Sequence, residues 1–132
     1  IFVVPSFAKQ IAQLEKTGGG VIKVGNLETY RDFTDVRDMV GAYLLALEKG
    51  TPGEVYNLGS GKSIKIKDIL DKLLSHAKVQ IKVEVDKSLL RKKDTREIVC
   101  DFSKFKKQTG WAPKIPIATT LFDTIEYERS KA

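Results

Sequence analysis

Two arginines stand where their chemistry would count. Arg31 falls in the segment ETYRDF, in a turn just ahead of a predicted helix, and Arg91 falls in the polar stretch LLRKKDTRE beside Lys92, Lys93, Asp94 and Arg96. A guanidinium offers a rigid fork of donors that matches phosphate oxygens, and a nearby carboxylate such as Asp94 can accept hydrogen bonds from a ribose diol. Together these groups would suit a nucleoside diphosphate. The plainer alternative pairs Arg31 with Asp32 or Asp35 and leaves the Arg91 loop solvated. Residue types alone leave both readings open.

Other combinations carry less chemistry. LGSGKS, residues 58–63, resembles a phosphate-cradling loop, but that motif needs a glycine five residues before its last glycine, and Tyr56 stands there. No G-x-G-x-x-G lies between a strand and a helix, so the chain shows no dinucleotide fingerprint. Tyr127 and Lys131 have the spacing that puts a phenol and an ammonium one helical turn apart, yet no cofactor motif accompanies them and coincidence is the favoured reading. His76 is the single histidine, at the end of a predicted helix, and receives no role. Cys100, the single cysteine, permits no internal disulfide and has no metal-ligand neighbour, which fits a reducing cytoplasm. The sequence therefore offers no catalytic residue and no metal site.

The elements that must position these residues follow from periodicity. Pro5 and Ser6 suit a helix start, with Phe7, Ile11 and Leu14 recurring along one face before Gly18, Gly19 and Gly20 stop the pattern. Val21 to Val24 is a short strand. Thr34 or Asp35 can cap a second helix whose apolar positions are Val36, Met39, Val40, Tyr43, Leu44 and Leu47, ending at Gly50. Residues 54–58, EVYNL, suggest a buried strand, and a third helix starts near Ile66 with Ile69, Leu70, Leu73 and Leu74. Ile81, Val83 and Val85 alternate with Lys82 and Glu84, as in a half-buried strand. Asp101 or Ser103 can cap a short helix that ends at Gly110, and Ile117, Leu121 and Ile125 mark a final helix. The class is α/β, with a thin sheet for so many helices. The helix from Val36 and the strand at Glu54 would bury better against a larger sheet supplied from elsewhere.

The chain has 132 residues, 42% hydrophobic and 30% charged, which is enough for one globular domain and argues against disorder. No apolar run approaches the ~20 residues that cross a bilayer, and no secretory signal is visible, so a soluble, cytoplasmic protein without a membrane partner is expected. A formal net charge of +6 admits an anionic partner. The start at Ile1 inside an apolar stretch suggests a fragment of a longer chain.

The ordered segments NLETYRDFTDVRDMVGAYLLALEKG, GEVYNLGSG, SIKIKDILDKLL, LLRKKDT and CDFSKFKKQTGW, with the opening VVPSFAKQIA, resemble the second half of extended short-chain dehydrogenases of the NAD-dependent epimerase/dehydratase family. The likeness covers nearly the whole chain and is nearest to GDP-4-keto-6-deoxy-mannose reductases, with GDP-mannose 4,6-dehydratases next. It implies that residues 1–132 form the carboxyl-terminal, nucleotide-sugar-binding portion of an extended Rossmann-type enzyme. Residues from about 35 to 60, one helix and one strand, would pack on an amino-terminal domain that holds NAD or NADP and the catalytic groups. By motif, Arg31 and Arg91 would contact the diphosphate and Asp94 the ribose, while Val3, Pro5 and Ser6 would line the base. The proline that normally follows the second arginine is replaced by Lys92, so the loop loses a φ restraint and gains a charge.

The resemblance thus implies a GDP-sugar or other nucleotide-sugar as ligand and a full-length homodimer. A reductase is favoured because RDFTDVRDM resembles that branch; a dehydratase and an epimerase follow. The rival of another class is a non-catalytic basic module that binds nucleotides or RNA. It lacks aromatic stacking motifs, and its basic residues are scattered, so no nucleic-acid partner is expected. This chain by itself is expected to be inactive.

Overall fold

The computed structural model describes residues 2–91 and 93–132. Ile1, the chain start, and Lys92, which replaces the family's proline, lie outside the described residues. The elements run α1 (Val3–Lys16), β1 (Gly20–Val24), β2 (Tyr30–Asp32), α2 (Val36–Lys49), β3 (Ser63–Lys65), α3 (Ile66–Leu74), β4 (Ile81–Val85), α4 (Ser103–Thr109) and α5 (Ile117–Lys131), with a 3-10 turn at Lys87–Leu89. They form two compact units, each assembled from separated stretches. The first comprises Ile1–Thr29, Lys65–Arg96 and Ala118–Ala132; the second comprises Tyr30–Ile64 and Glu97–Ile117.

In the first unit, α1 buries Phe7, Ala8, Ile11 and Ala12 along one face, and α3 buries Ile66, Ile69, Leu70 and Leu73. Both follow the 3.6-residue period expected of them. The first helix starts at Val3, ahead of the expected Pro5; a proline in the first turn gives up no intrahelical bond, because those N–H groups have no helical acceptor. β1 alternates, with Ile22 and Val24 buried, and runs parallel to β4 in the register Ile22↔Val83 and Val24↔Val85. β4 departs from expectation. Val83 and Val85 lie on the face where β1 is buried, yet remain 44% and 53% exposed, because α1 packs over β1 and leaves β4 less covered.

One charged side chain ties three parts of this unit together. Arg129 on α5 donates to Glu15 on α1 through Nε (2.8 Å) and Nη2 (2.5 Å), to the His76 carbonyl at 2.7 Å, and to Glu126. Glu15 also accepts from the Lys78 amide at 3.0 Å. The Arg129 hydrogen bond, reinforced by Lys78 and opposed by burial, holds the Glu15 carboxyl below its ordinary value. The same pairing pushes the guanidinium upward, so both partners stay charged.

In the second unit, Asp35 caps α2 as expected, its Oδ1 accepting from the Arg37 amide at 2.8 Å while its two oxygens also take the Arg37 guanidinium. The core gathers Ala42 of α2, Phe105 of α4 and Trp111, with Leu45, Ala46, Tyr56, Leu58 and Phe102 packed against it. Asp38 joins α2 to the segment before α5 by accepting from the Lys114 and Ile115 amides, each at 2.9 Å. Asp101 Oδ1 accepts from Ser103 N at 2.9 Å at the start of α4, and Gly110 closes that helix with φ 77°.

Two elements expected to bury against a larger sheet supplied from elsewhere have no such sheet beside them among the described residues. The apolar stripe of α2 is not the face that is buried: Val36, Val40, Tyr43, Leu44 and Leu47 are all exposed, and the Ala42–Leu45–Ala46 side packs instead. The helix is apolar on two faces, and these residues cover only one. Residues 54–58 form no strand, because no ladder partner stands beside them among the described residues. They keep the alternation of one, however, with Tyr56 and Leu58 packed inward while Val55 is exposed.

The molecule is α/β, and among the described residues no helix is long and apolar enough to cross a membrane. Burial separates two leucines. Leu73 is fully buried and Leu47 is 86% exposed. Leu73→Ala should lower the unfolding free energy of the 132-residue chain by about 2–5 kcal/mol in urea titrations, whereas Leu47→Ala should change it by less than about 0.5 kcal/mol. Equal losses would contradict this burial.

Candidate functional site

The candidate site is built outward from β2. This three-residue strand is hydrogen-bonded to β3, and its first residue, Tyr30, bridges to Glu97 while accepting from the Ile98 amide at 3.2 Å. Its last residue, Asp32, does more. Oδ1 accepts from the Ser60 amide at 2.8 Å and the Ser60 hydroxyl at 2.5 Å; Oδ2 accepts from the Gly61 amide at 2.9 Å and the Cys100 amide at 3.0 Å. The glycine-rich stretch that fails as a phosphate loop therefore does cradle an anion, and the anion is the chain's own carboxylate.

The turn needs its glycines for two different reasons. Gly61 has φ +72°, in the left-handed region that side chains disfavour. At Gly59 a Cβ would fall 2.3 Å from the Cys100 Cβ and 3.2 Å from Asp32 Oδ2, so the backbone passes where no side chain fits. Burial would raise the Asp32 carboxyl, but the Ser60 hydroxyl and the three amides outweigh it and hold the group below its ordinary value. The Cys100 thiol moves upward, through burial and then the charges of Asp32 and Asp101. It stays protonated and is a poor nucleophile.

Arg31 sits between these anchored residues in β2, partly buried, with Nη1 donating to the Tyr30 carbonyl at 2.7 Å. Successive side chains of an extended strand leave on opposite sides, so the strand that turns Asp32 into the cradle turns Arg31 out of it. Its planar fork fits an oxyanion.

The other expected site residues belong to the first unit. Arg91 is exposed and Asp94 partly buried, in the loop after the 3-10 turn. Asp86 starts that turn, its Oδ1 accepting from Ser88 N at 2.9 Å, while its own amide donates to the Val24 carbonyl at 2.8 Å. The loop thus leaves directly from the β1–β4 pair. Asn26, just past β1, donates to Asp94 Oδ2 at 3.4 Å and takes the Glu28 amide on its own Oδ1 at 3.0 Å. Val3, Pro5 and Ser6 share the first turn of α1, with Pro5 exposed and the Ser6 amide on the Phe2 carbonyl at 3.1 Å. The structure therefore groups Val3, Pro5 and Ser6 on one turn and Arg91 and Asp94 on one loop, and places Arg31 in the other unit.

Sequence reasoning offers Asp32 only as a pairing partner for Arg31 and gives Ser60 no role, whereas the structure joins the two. The available signal was an acidic residue at the end of a short strand together with a Gly-Ser-Gly turn able to point amides at it. Asn26, to which the sequence assigns no role, reaches Asp94 only through the fold.

Nothing in the described residues fits a dinucleotide or a metal. The strand-to-helix passages, residues 33–35 between β2 and α2, the direct step from β3 into α3 and residues 86–102 between β4 and α4, lack glycine, so none carries the glycine-rich cradle for a pyrophosphate. No group of three or more potential ligands could hold a metal ion. Tyr127 and Lys131 are both exposed at the end of α5, with the Lys131 Nζ 3.8 Å from the Tyr127 ring centroid.

Residues 1–124 match the family model described as GDP-mannose 4,6 dehydratase. The chain belongs to that family. Among curated relatives it is 34% identical over 121 residues to GDP-6-deoxy-D-mannose reductase of Pseudomonas aeruginosa, covering 91% of this chain and 40% of the reductase. The structure of RMD from Pseudomonas aeruginosa complexed with NADPH superposes with a TM-score of 0.90 at 31% identity, over 99% of this chain and 43% of that one. UDP-glucose 4-epimerase from Thermotoga maritima with UDP-glucose gives 0.74 at 30% identity, over 98% of this chain and 40% of that one. The fold is thus that of a portion of Rossmann-type reductases and epimerases, and the chain spans about two fifths of the length of these three relatives.

The cradle has a pH signature. A carboxyl held below its ordinary value contributes stability that is fully present above about pH 4 and is lost as pH falls through the lowered value. Asp32→Asn removes that proton-linked part. In urea titrations at pH 7 and pH 3 the unaltered chain should lose more stability on acidification than Asp32→Asn; equal losses would mean that the cradle does not titrate with folding.

Proposed function

We propose that this chain is the nucleotide-sugar-binding part of an NAD(P)-dependent reductase acting on a GDP-4-keto-6-deoxy-mannose. Arg31 and Arg91 contact the diphosphate, Asp94 accepts from the ribose hydroxyls, and Val3, Pro5 and Ser6 line the base. The observation that carries the reading is Arg31 on a strand pinned at its next residue, in a chain that resembles a GDP-6-deoxy-D-mannose reductase over nine tenths of its length. A guanidinium on a fixed backbone is the preorganised donor that a diphosphate oxygen needs.

The cofactor and the catalytic groups belong to a dinucleotide-binding portion that these 132 residues do not contain. The missing glycine fingerprint supports this, and so does the bare apolar face of α2. Residues from about 35 to 60 would cover that portion's sheet with Val36, Val40, Tyr43, Leu44 and Leu47. What this chain contributes is binding and orientation: it neutralises the diphosphate and holds the sugar for reaction elsewhere.

Two measurements test the reading on the natural full-length polypeptide. Arg31→Ala should weaken GDP-sugar binding by about 10- to 150-fold, the effect of losing one charge-assisted hydrogen-bonded partner, and an unchanged dissociation constant would remove Arg31 from the site. Incubation with GDP-mannose and NADP should give no 4-keto-6-deoxy sugar. Its formation would replace the reductase assignment with a dehydratase.

A further inference from the structure

We infer that Asp32 is a positioning residue, whose bonds to the Ser60–Gly61 turn and to Cys100 hold β2 so that Arg31 is presented to a diphosphate. The inference rests on the role proposed for Arg31 and adds a residue to which nothing else assigns a part in binding.

Four observations converge on it. Both oxygens of the carboxylate are engaged, each by two donors, which fixes its orientation as well as its place. The donors come from segments 28 and 68 residues along the chain, so one side chain joins three stretches that local sequence could not bring together. Gly59 leaves no slack, since even a methyl group there would strike Cys100. Finally, β2 is only three residues long, and a ladder so short restrains a strand weakly unless something else grips its end.

The consequence for Arg31 is mechanical. An arginine side chain has many rotamers, and its fork meets a phosphate productively only if the backbone that carries it is set to within a fraction of an ångström. Tyr30 is held on one side of it by Glu97 and Ile98, and Asp32 is held on the other by the cradle. Loosening the Asp32 grip lets the strand end move and spreads the guanidinium over positions that miss the oxyanion. The Ser60 hydroxyl is part of the same grip, being the one side-chain donor among the four.

A double-mutant cycle on the natural full-length polypeptide tests this, with GDP as the probe, or UDP if the unaltered protein binds it more tightly. The variants are Arg31→Ala, Asp32→Asn, Ser60→Ala and the pairs of each of the last two with Arg31→Ala. Ser60→Ala keeps the carboxylate and three of its donors, so it reports even where Asp32→Asn is too unstable to purify. Asp32→Asn should weaken binding about 5- to 20-fold and Ser60→Ala about 2- to 5-fold, and neither should weaken it further once Arg31 is alanine. If Arg31→Ala weakens binding while the cradle variants do not, or if their effects simply multiply with that of Arg31→Ala, Asp32 does not act through Arg31 and the inference is overturned while the role of Arg31 stands. If Arg31→Ala itself binds as the unaltered protein does, the diphosphate reading fails first and the positioning role falls with it.

Discussion

The constraint on which the candidate site depends is a carboxylate bound by its own chain. A charge drawn partly out of water must find donors or stay hydrated, and Asp32 finds four, three of them backbone amides that would otherwise need acceptors of their own. The bonds satisfy both sides at once, and they can form only if the strand, the Gly-Ser-Gly turn and the start of the segment before α4 meet at one point. Arg31 is the residue immediately before the one that makes these bonds. Structure and proposed function meet in two consecutive residues, Asp32, which grips the fold, and Arg31, for which diphosphate binding is the proposed role.

The first unit uses the same physics with the opposite charge. Arg129 is a cation enclosed by two carboxylates and a carbonyl, and it fastens α1 and α5 to the chain just after α3. Around it the apolar faces of α1 and α3 supply most of the burial, and the β1–β4 pair supplies the edge from which the Arg91 and Asp94 loop departs. Loop residues are positioned by where their strands end, so the hydrogen bond from the Asp86 amide to the Val24 carbonyl fixes where the loop begins.

Much of this was legible beforehand where the signal is local. The helices at Val3–Lys16, Ile66–Leu74 and Ile117–Lys131 follow apolar periodicity, Asp35 caps α2 as its type and place suggest, and Gly110 ends α4 in the left-handed conformation. The family, too, was legible from ordered segments at their usual spacing, and the match over residues 1–124 agrees with it. What the residues left open has one cause. Val36, Val40, Tyr43, Leu44 and Leu47 announce an apolar stripe without saying what covers it, residues 54–58 have strand character without a strand beside them, and Val83 alternates correctly but is left half-exposed beside a covered β1. In each case the outcome depends on a neighbour that the residues themselves do not specify.

Sequence alone determined most helix ends and the family to which the chain belongs, because these depend on residue type and on spacing within a few turns. Tertiary structure alone decided that Asp32 would face Ser60, Gly61 and Cys100, that Glu15 would meet Arg129 across 114 residues of chain, and that Asn26 would reach Asp94. The physical reason is that a hydrogen bond between distant residues forms only when many other contacts have already closed the intervening loops, and no short window of sequence records that closure.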